Sequence, residues 1–183
     1  MKEIQLTQGY VALVDDEDYP LVSQYKWYAR IKKRKDSTVR GVYAARNTYP
    51  YSREQSRKMG KISIVKLMFM HRLILGLTDG SLEVDHIDGD GLHNWRSNLR
   101  TATTAQNRHN SPAPVDNTSG FKGVSWNKRQ KRWGAYITAF GKRKHLGWFV
   151  NKEEAAQSRA KAEIEMFGEF ARPTEAACLS LTM

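Results

Sequence analysis

Val84-Asp85-His86-Ile87-Asp88-Gly89-Asp90, followed by His93-Asn94-Trp95-Arg96-Ser97-Asn98-Leu99-Arg100, is the most informative stretch of the chain. Leu82-Glu83-Val84 has strand composition and leads into Asp85-His86. Asp88-Gly89-Asp90-Gly91 is a turn by composition: glycine adopts positive φ freely, and aspartate side chains bond nearby backbone N–H groups. Thr103-Thr104-Ala105-Gln106 matches the capping-box pattern of a helix start. The helix that follows carries Asn107, and Ser111-Pro112 limits its extension. The local expectation is therefore strand, loop, strand, helix.

These side chains suit hydrolysis of a phosphodiester. That reaction needs a base for water, a divalent cation for the developing charge, and a group that orients the base. Imidazole serves as the base because its pKa lies near neutrality. An Asp carboxylate and an Asn amide are hard oxygen donors of the kind magnesium takes, with waters completing its shell. Asp85, His86, Asn98 and Asn107 supply these groups. A blander reading exists, since Asp-His beside a glycine turn is common in loops. Asp88 and Asp90 lack the spacing and closing Glu of an EF-hand, so turn formation is preferred over calcium binding. His93 and His109 read as polar surface residues.

The ordered string resembles the HNH homing-endonuclease family, whose active site is a β-hairpin and a helix around one metal. The match runs from His71-Arg72-Leu73 through Asp85-His86-Ile87-Asp88-Gly89-Asp90 and Asn98-Leu99-Arg100 to Gln106-Asn107. The resemblance implies His86 as general base, Asp85 as the first metal ligand and Asn107 as the ligand from the helix. It implies Asn98 as the residue that buttresses the loop beside the base, so that Asp85, His86 and Asn98 form the catalytic set. Asn94 takes a structural role, and His71 and Arg72 lie beneath the site as support or as phosphate contacts. The Cys pairs of zinc-stabilised variants are missing, which fits the zinc-free subgroup. One divalent ion is implied, Mg2+ first and Mn2+ second, with no zinc.

Downstream, Ser111-Pro112-Ala113-Pro114 reads as a linker. Three basic strand candidates follow: Phe121–Trp126, Arg132–Ala139 and Lys142–Phe149. No acidic residue occurs between Thr118 and Lys152, so basic charge concentrates on this sheet and its turns. Period-two alternation puts Trp133, Ala135 and Ile137 on one face and Tyr136 and Thr138 on the other. Leu146 then points inward and Arg143 and His145 outward. Asn151 with Glu154 marks a helix start, Ala156, Ala160, Ile164 and Phe167 form one face, and Gly168 is the expected C-cap.

This segment resembles the AP2 DNA-binding domain, three antiparallel strands backed by one helix. The resemblance rests on Lys122-Gly123-Val124, Trp133-Gly134-Ala135-Tyr136-Ile137, Leu146-Gly147-Trp148-Phe149, Glu153-Glu154-Ala155-Ala156 and Phe167-Gly168-Glu169. In that family the outer sheet face enters the major groove, which implies Lys122, Ser125, Asn127, Tyr136, Thr138, Arg143 and His145 as DNA-facing residues. Fewer arginines stand there than in the plant transcription factors, so direct guanine reading is reduced. The competing reading is a basic but idle solvated face.

At the other end, Tyr10–Val14 reads as a strand closed by the acidic turn Asp15-Asp16-Glu17-Asp18, and a short helix covers Tyr19–Tyr25. Lys26–Arg30 and Val42–Arg46 pair as strands around a basic loop, Lys32-Lys33-Arg34-Lys35. Residues 51–60 read as a loop, and Ile62–Ile74 is apolar with ambiguous periodicity. This segment resembles the leader of HNH–AP2 proteins. A scaffold beneath the hairpin is the preferred role, with an extra DNA contact through Lys32–Lys35 as the alternative.

Composition agrees with a polyanionic partner: 30 Lys plus Arg against 19 Asp plus Glu give a net charge of +11. The single cysteine, Cys178, excludes an internal disulfide and a Cys-based zinc site. Neither a signal peptide nor a membrane span is expected, and the compartment expected is the cytoplasm of a bacterium or of a phage-infected host. The expected fold class is α+β. Its expected parts are a β-rich scaffold over 1–70, an HNH ββα-metal core over 71–111, a linker over 112–119, an AP2-like domain over 120–171 and a tail over 172–183. The expected function is a metal-dependent DNA endonuclease of homing, phage or mobile-element type, a monomer or weak dimer acting on double-stranded DNA. The alternatives are a DNA-binding regulator with a decayed HNH centre and a structural RNA-binding protein.

Overall fold

The computed structural model describes residues 1–49, 53–58, 65–78, 80–110, 117–139 and 141–172. The chain forms two compact units, Met1–Thr103 and Thr104–Met183. The architecture is α+β, with several small antiparallel sheets and one long helix. The N-terminal segment and the Asp-His hairpin both belong to Met1–Thr103, and the helix after the hairpin belongs to Thr104–Met183. The expected linker at 111–114 and Cys178 lie outside the described residues, as does most of the tail.

In the first unit, β1 (Lys2–Gln5) and β2 (Val11–Val14) make an antiparallel ribbon with Ile4 opposite Ala12. A tight turn joins them, and α1 (Tyr19–Ser23) follows with Pro20 in its first turn, where a missing N–H costs nothing. β3 (Tyr28–Lys33) and β4 (Val39–Thr48) pair next. The basic run expected to be a loop is thus partly strand, since Lys32 and Lys33 continue β3. The turn is confined to Arg34–Thr38, closed by Arg34 N–H to the Thr38 carbonyl at 2.8 Å. A short helix α2 (Arg53–Lys58) precedes β5 (Lys66–Phe69), which adds to the free edge of β4. From Lys66 on, the ambiguous apolar run is strand then helix, because α3 (Met70–Ile74) starts directly after an extended Phe69, and the run's first residues lie outside the described ones. β6 (Glu83–His86) and β7 (Leu99–Ala102) form the hairpin. One core collects Ile4, Val14, Val22, Trp27, Ala44, Met70, Ile74 and Leu99, residues drawn from every part of the unit.

The second unit starts with α4 (Thr104–His109), followed by β8 (Val124–Asn127), β9 (Arg132–Ala139) and β10 (Lys142–Phe149), with β9 central. α5 (Lys152–Phe167) covers one face of the sheet, where Ala155 and Ala156 meet Val124 and Ala135. The expected helix face is corrected here. Ile164 is 39% exposed, whereas Arg159 and Glu163 are buried. A charged pair tolerates that position because Arg159 Nη1 lies 3.0 Å from Glu163 Oε2 and Lys122 Nζ lies 3.6 Å from Glu163 Oε1. Gly123 sits over this cluster at φ +73°. A Cβ there would come within 2.3 Å of the Tyr136 carbonyl oxygen, so the close approach of β8 to β9 depends on glycine.

Candidate functional site

The hairpin pairs Asp85 with Arg100 and His86 with Leu99, so these residues sit at the mouth of a loop running from Ile87 to Asn98. That loop is tied internally. Asn98 Nδ2 donates to Asp88 Oδ1 at 3.0 Å and to the His93 carbonyl at 2.9 Å, while Asn98 Oδ1 accepts the Asp88 N–H at 3.1 Å. Asp88 and Asp90 accept the backbone N–H groups of Asp90 and Leu92. His93 is no bystander: Nδ1 lies 2.6 Å from Asp88 Oδ2 and its ring packs on Trp95. Burial opposes ionisation of Asp88, but the bonds from His93, the Asp90 backbone and Asn98 outweigh it and hold the carboxyl below its ordinary range.

The N-terminal segment clamps the same loop from outside. Leu13 N–H donates to the Leu92 carbonyl at 2.9 Å, and Asn94 N–H donates to the Leu13 carbonyl at 2.7 Å. The acidic turn, read from sequence as punctuation, receives Arg96: its backbone N–H reaches Asp15 Oδ2 and its Nη2 reaches Asp18 Oδ1, both at 2.7 Å. On the other side Gly91 packs onto β4, where a Cβ would come within 2.4 Å of the Val42 carbonyl oxygen and 2.5 Å of the Tyr43 ring.

Asp85 is buried and accepts two bonds on Oδ2 from Arg100, from Nε at 2.8 Å and Nη2 at 2.6 Å. His86 is buried, with Nε2 at 3.5 Å from Asn94 Oδ1. An amide oxygen accepts only, so this neighbour favours the tautomer with its proton on Nε2 and leaves Nδ1 as the basic nitrogen. Burial lowers the His86 pKa, while Asn94 and the loop carboxylates oppose the shift, so the imidazole is neutral at neutral pH. His71 lies against it edge-on, ring centroids 5.0 Å apart, and is stacked on Phe69. Burial first, then like charge from His86, Arg72 and Lys32, holds His71 well below the ordinary imidazole range. Its Nδ1 has no hydrogen-bond partner. Arg72 reaches the Leu82 carbonyl at 2.7 Å and so supports the start of the hairpin.

The structure thus brings Asp85, His86, Asn94, Asn98 and His71 together, and Asn107 is carried by α4 in the second unit. Sequence reasoning missed Tyr43 of β4, whose ring lies 6.0 Å from that of His86, and Arg100 as the partner of Asp85. Among the described residues no three His, Cys, Asp or Glu side chains cluster as a metal site. A single carboxylate with amide, water and phosphate oxygens is a donor set that a hard divalent ion accepts and that contains no such cluster.

In the second unit the register sets Arg143 opposite Thr138 and His145 opposite Tyr136. These pairs lie on the face away from α5, where the Arg143 guanidinium stands 4.1 Å over the Tyr136 ring. Beside His145, Trp148, which the sequence did not place on this face, extends the cluster, with the two ring centroids 4.6 Å apart. Ser125 and Thr138 are exposed. Asn127 is used locally, its Oδ1 accepting the N–H groups of Arg129 and Gln130. Lys122 does not join this face. Its ammonium is turned toward Glu163 and donates to the His109 carbonyl at 2.8 Å, and burial lowers its pKa. His109 is likewise engaged, its ring stacked on Phe167.

The first unit thus presents a two-stranded hairpin with a buried Asp-His pair and a loop pinned by Asn98. The chain is 31% identical over 169 residues to an uncharacterized HNH endonuclease of Acanthamoeba polyphaga mimivirus, covering 92% of this chain and 76% of that one. It is also 37% identical over 91 residues to Protein 3.8 of Escherichia phage T7, 49% of this chain and 73% of that protein. The chain belongs to the HNH endonuclease family. No family model and no solved structure matches it. Among the described residues no helix is long and apolar enough to cross a membrane.

Proposed function

We propose that the chain is a metal-dependent endonuclease of double-stranded DNA, with His86 as the general base. The observation that carries this reading is the setting of His86, a neutral imidazole beside the buried Asp85, with Asn94 on its Nε2 side. His86 Nδ1 takes the proton of the attacking water, and Asn94 steadies the ring and its tautomer. Asn98 holds the loop so that the ring keeps its place. Asp85 would hold the ion, Mg2+ or Mn2+, which would supply Lewis-acid stabilisation of the phosphate and the leaving oxygen. Arg100 fixes the orientation of the Asp85 carboxylate. One such centre cuts one strand per engagement, so a double-strand break needs two events or two copies.

The test is incubation with the chain's own genomic locus and magnesium, followed by strand-resolved mapping of the ends. Cleavage should stop in EDTA and return with Mg2+ or Mn2+. Activity that survives exhaustive chelation rules out this mechanism.

The second unit supplies site recognition in this reading, as an AP2-like module whose open face meets the major groove through Ser125, Tyr136, Thr138, Arg143 and His145. Support comes from the one-sided charge, eight Lys or Arg between Thr118 and Lys144 with no acid, and from aromatic rings interleaved with that charge. Arg143→Ala should weaken duplex binding at low salt and reduce the slope of log affinity against log salt by about one. The melting temperature should hold, because the side chain is exposed. An unchanged slope in a titration across a salt series moves recognition elsewhere. A homing or mobile-element role is an extension of the same proposal.

A further inference from the structure

The N-terminal sheet brings a cation to the edge of the nuclease centre. Lys32 lies opposite Gly41, so it shares a sheet face with Tyr43, two residues along β4, and with Phe69, which pairs with Ala45. Its ammonium stands 4.6 Å from the Tyr43 ring centroid and 5.9 Å from that of Phe69. The same Tyr43 ring lies 6.0 Å from the His86 ring, and the Phe69 ring is stacked on His71. One aromatic wall therefore connects the ammonium to the base, and Gly91 lets the catalytic loop close against that wall.

Among the described residues no carboxylate lies within ion-pairing distance of Lys32, and Arg30 and Arg40 crowd it with like charge, offset in part by Glu83. Arg30 stands directly opposite Tyr43 on the same face. The buried His71 Nδ1 beside the base is unsatisfied as well. The side chain is open to solvent, so the ammonium, held against two aromatic rings and near like charges, is reachable by an arriving anion. The polyanion that a nuclease engages carries such an anion at every nucleotide.

We propose that Lys32 is a further catalytic residue, the cation that holds the phosphate being attacked. It acts through charge and reach. The ammonium bonds a non-bridging phosphate oxygen, draws the phosphorus toward the water activated by His86, and stabilises the negative charge that builds on that oxygen. Tyr43 is a positioning residue that orders the lysine stem and spaces it from the base. This assignment rests on the nuclease reading and deepens it by giving the N-terminal sheet a chemical part.

The experiment uses the full chain with Lys32→Met and Lys32→Arg, on a supercoiled plasmid and on the mapped duplex. At saturating protein and magnesium, Lys32→Met should cut about 10²–10³-fold more slowly, the loss expected for one preorganised charge donor, and Lys32→Arg should recover most of it. The half-saturating DNA concentration should change much less than the rate. Placed in a His86→Ala background, Lys32→Met should flatten the salt dependence of duplex binding by about one phosphate contact. Its melting temperature should match that of the parent. A rate within threefold of wild type, or an unchanged salt slope, overturns the assignment. If the wild-type chain cuts no DNA under any metal, the nuclease reading is what fails, and the salt slope alone then decides whether Lys32 touches phosphate.

Discussion

His86→Ala is expected to lower the rate of strand cleavage by about 10²–10⁴-fold, the range over which a positioned general base contributes. Duplex binding should stay within a few-fold of wild type, because the imidazole is neutral at neutral pH and adds no charge for phosphate. The ring is buried, so the melting temperature of the variant is measured beside its rate to separate loss of the base from loss of packing. A single-turnover assay on the mapped substrate reads this directly. Asn94→Leu sharpens the prediction. It leaves Nδ1 and Nε2 in place but removes the acceptor that selects the tautomer, so the rate should drop by less than for His86→Ala. Near wild-type cleavage by His86→Ala would transfer the role of base to another group, and His71, whose buried ring touches that of His86, would be the next to test.

The hairpin was legible because its chemistry is local. Asp85 and His86 are adjacent, and Asn98 lies one loop away, so strand composition and turn residues placed them without knowledge of the rest. The three strands and long helix of the second unit were legible for the same reason, since alternation and the Asn151 start are short-range patterns. What escaped the sequence depends on partners far away in it. Arg96 meets Asp15 across 81 residues, and nothing in an acidic run distinguishes a receptor for arginine from a solvated turn. Lys122 looked like a member of a basic face. Its destination is Glu163, set on the buried side of α5 by a helix rotation that the apolar pattern alone misjudged. Lys32 looked like loop because lysines cluster there, yet the strand runs through it and the aromatic residues that hold it come from β4 and β5.

The ion pair of Asp85 with Arg100 yields the prediction that best separates metal binding from structure. The two side chains are 4% and 12% exposed, and Arg100 makes two bonds to one carboxylate oxygen. Removing one member of such a pair leaves a buried charge and costs about 3–5 kcal/mol, whereas replacing both with apolar groups of similar volume is often neutral. Asp85→Leu and Arg100→Met should therefore each destabilise the first unit, and the double variant should recover much of the loss, a coupling that a double-mutant cycle measures. Their responses to metal should differ. In Arg100→Met the carboxylate keeps its charge without its cation, so Mg2+ should raise the melting temperature of this variant more than that of wild type, in proportion to ion binding by the folded state. Asp85→Leu and the double variant should show no such rise, because the carboxylate ligand is gone. The double variant, although folded, should not cut DNA. Equal magnesium shifts in all four proteins would place the ion elsewhere, and cleavage by the double variant would remove Asp85 from the metal centre.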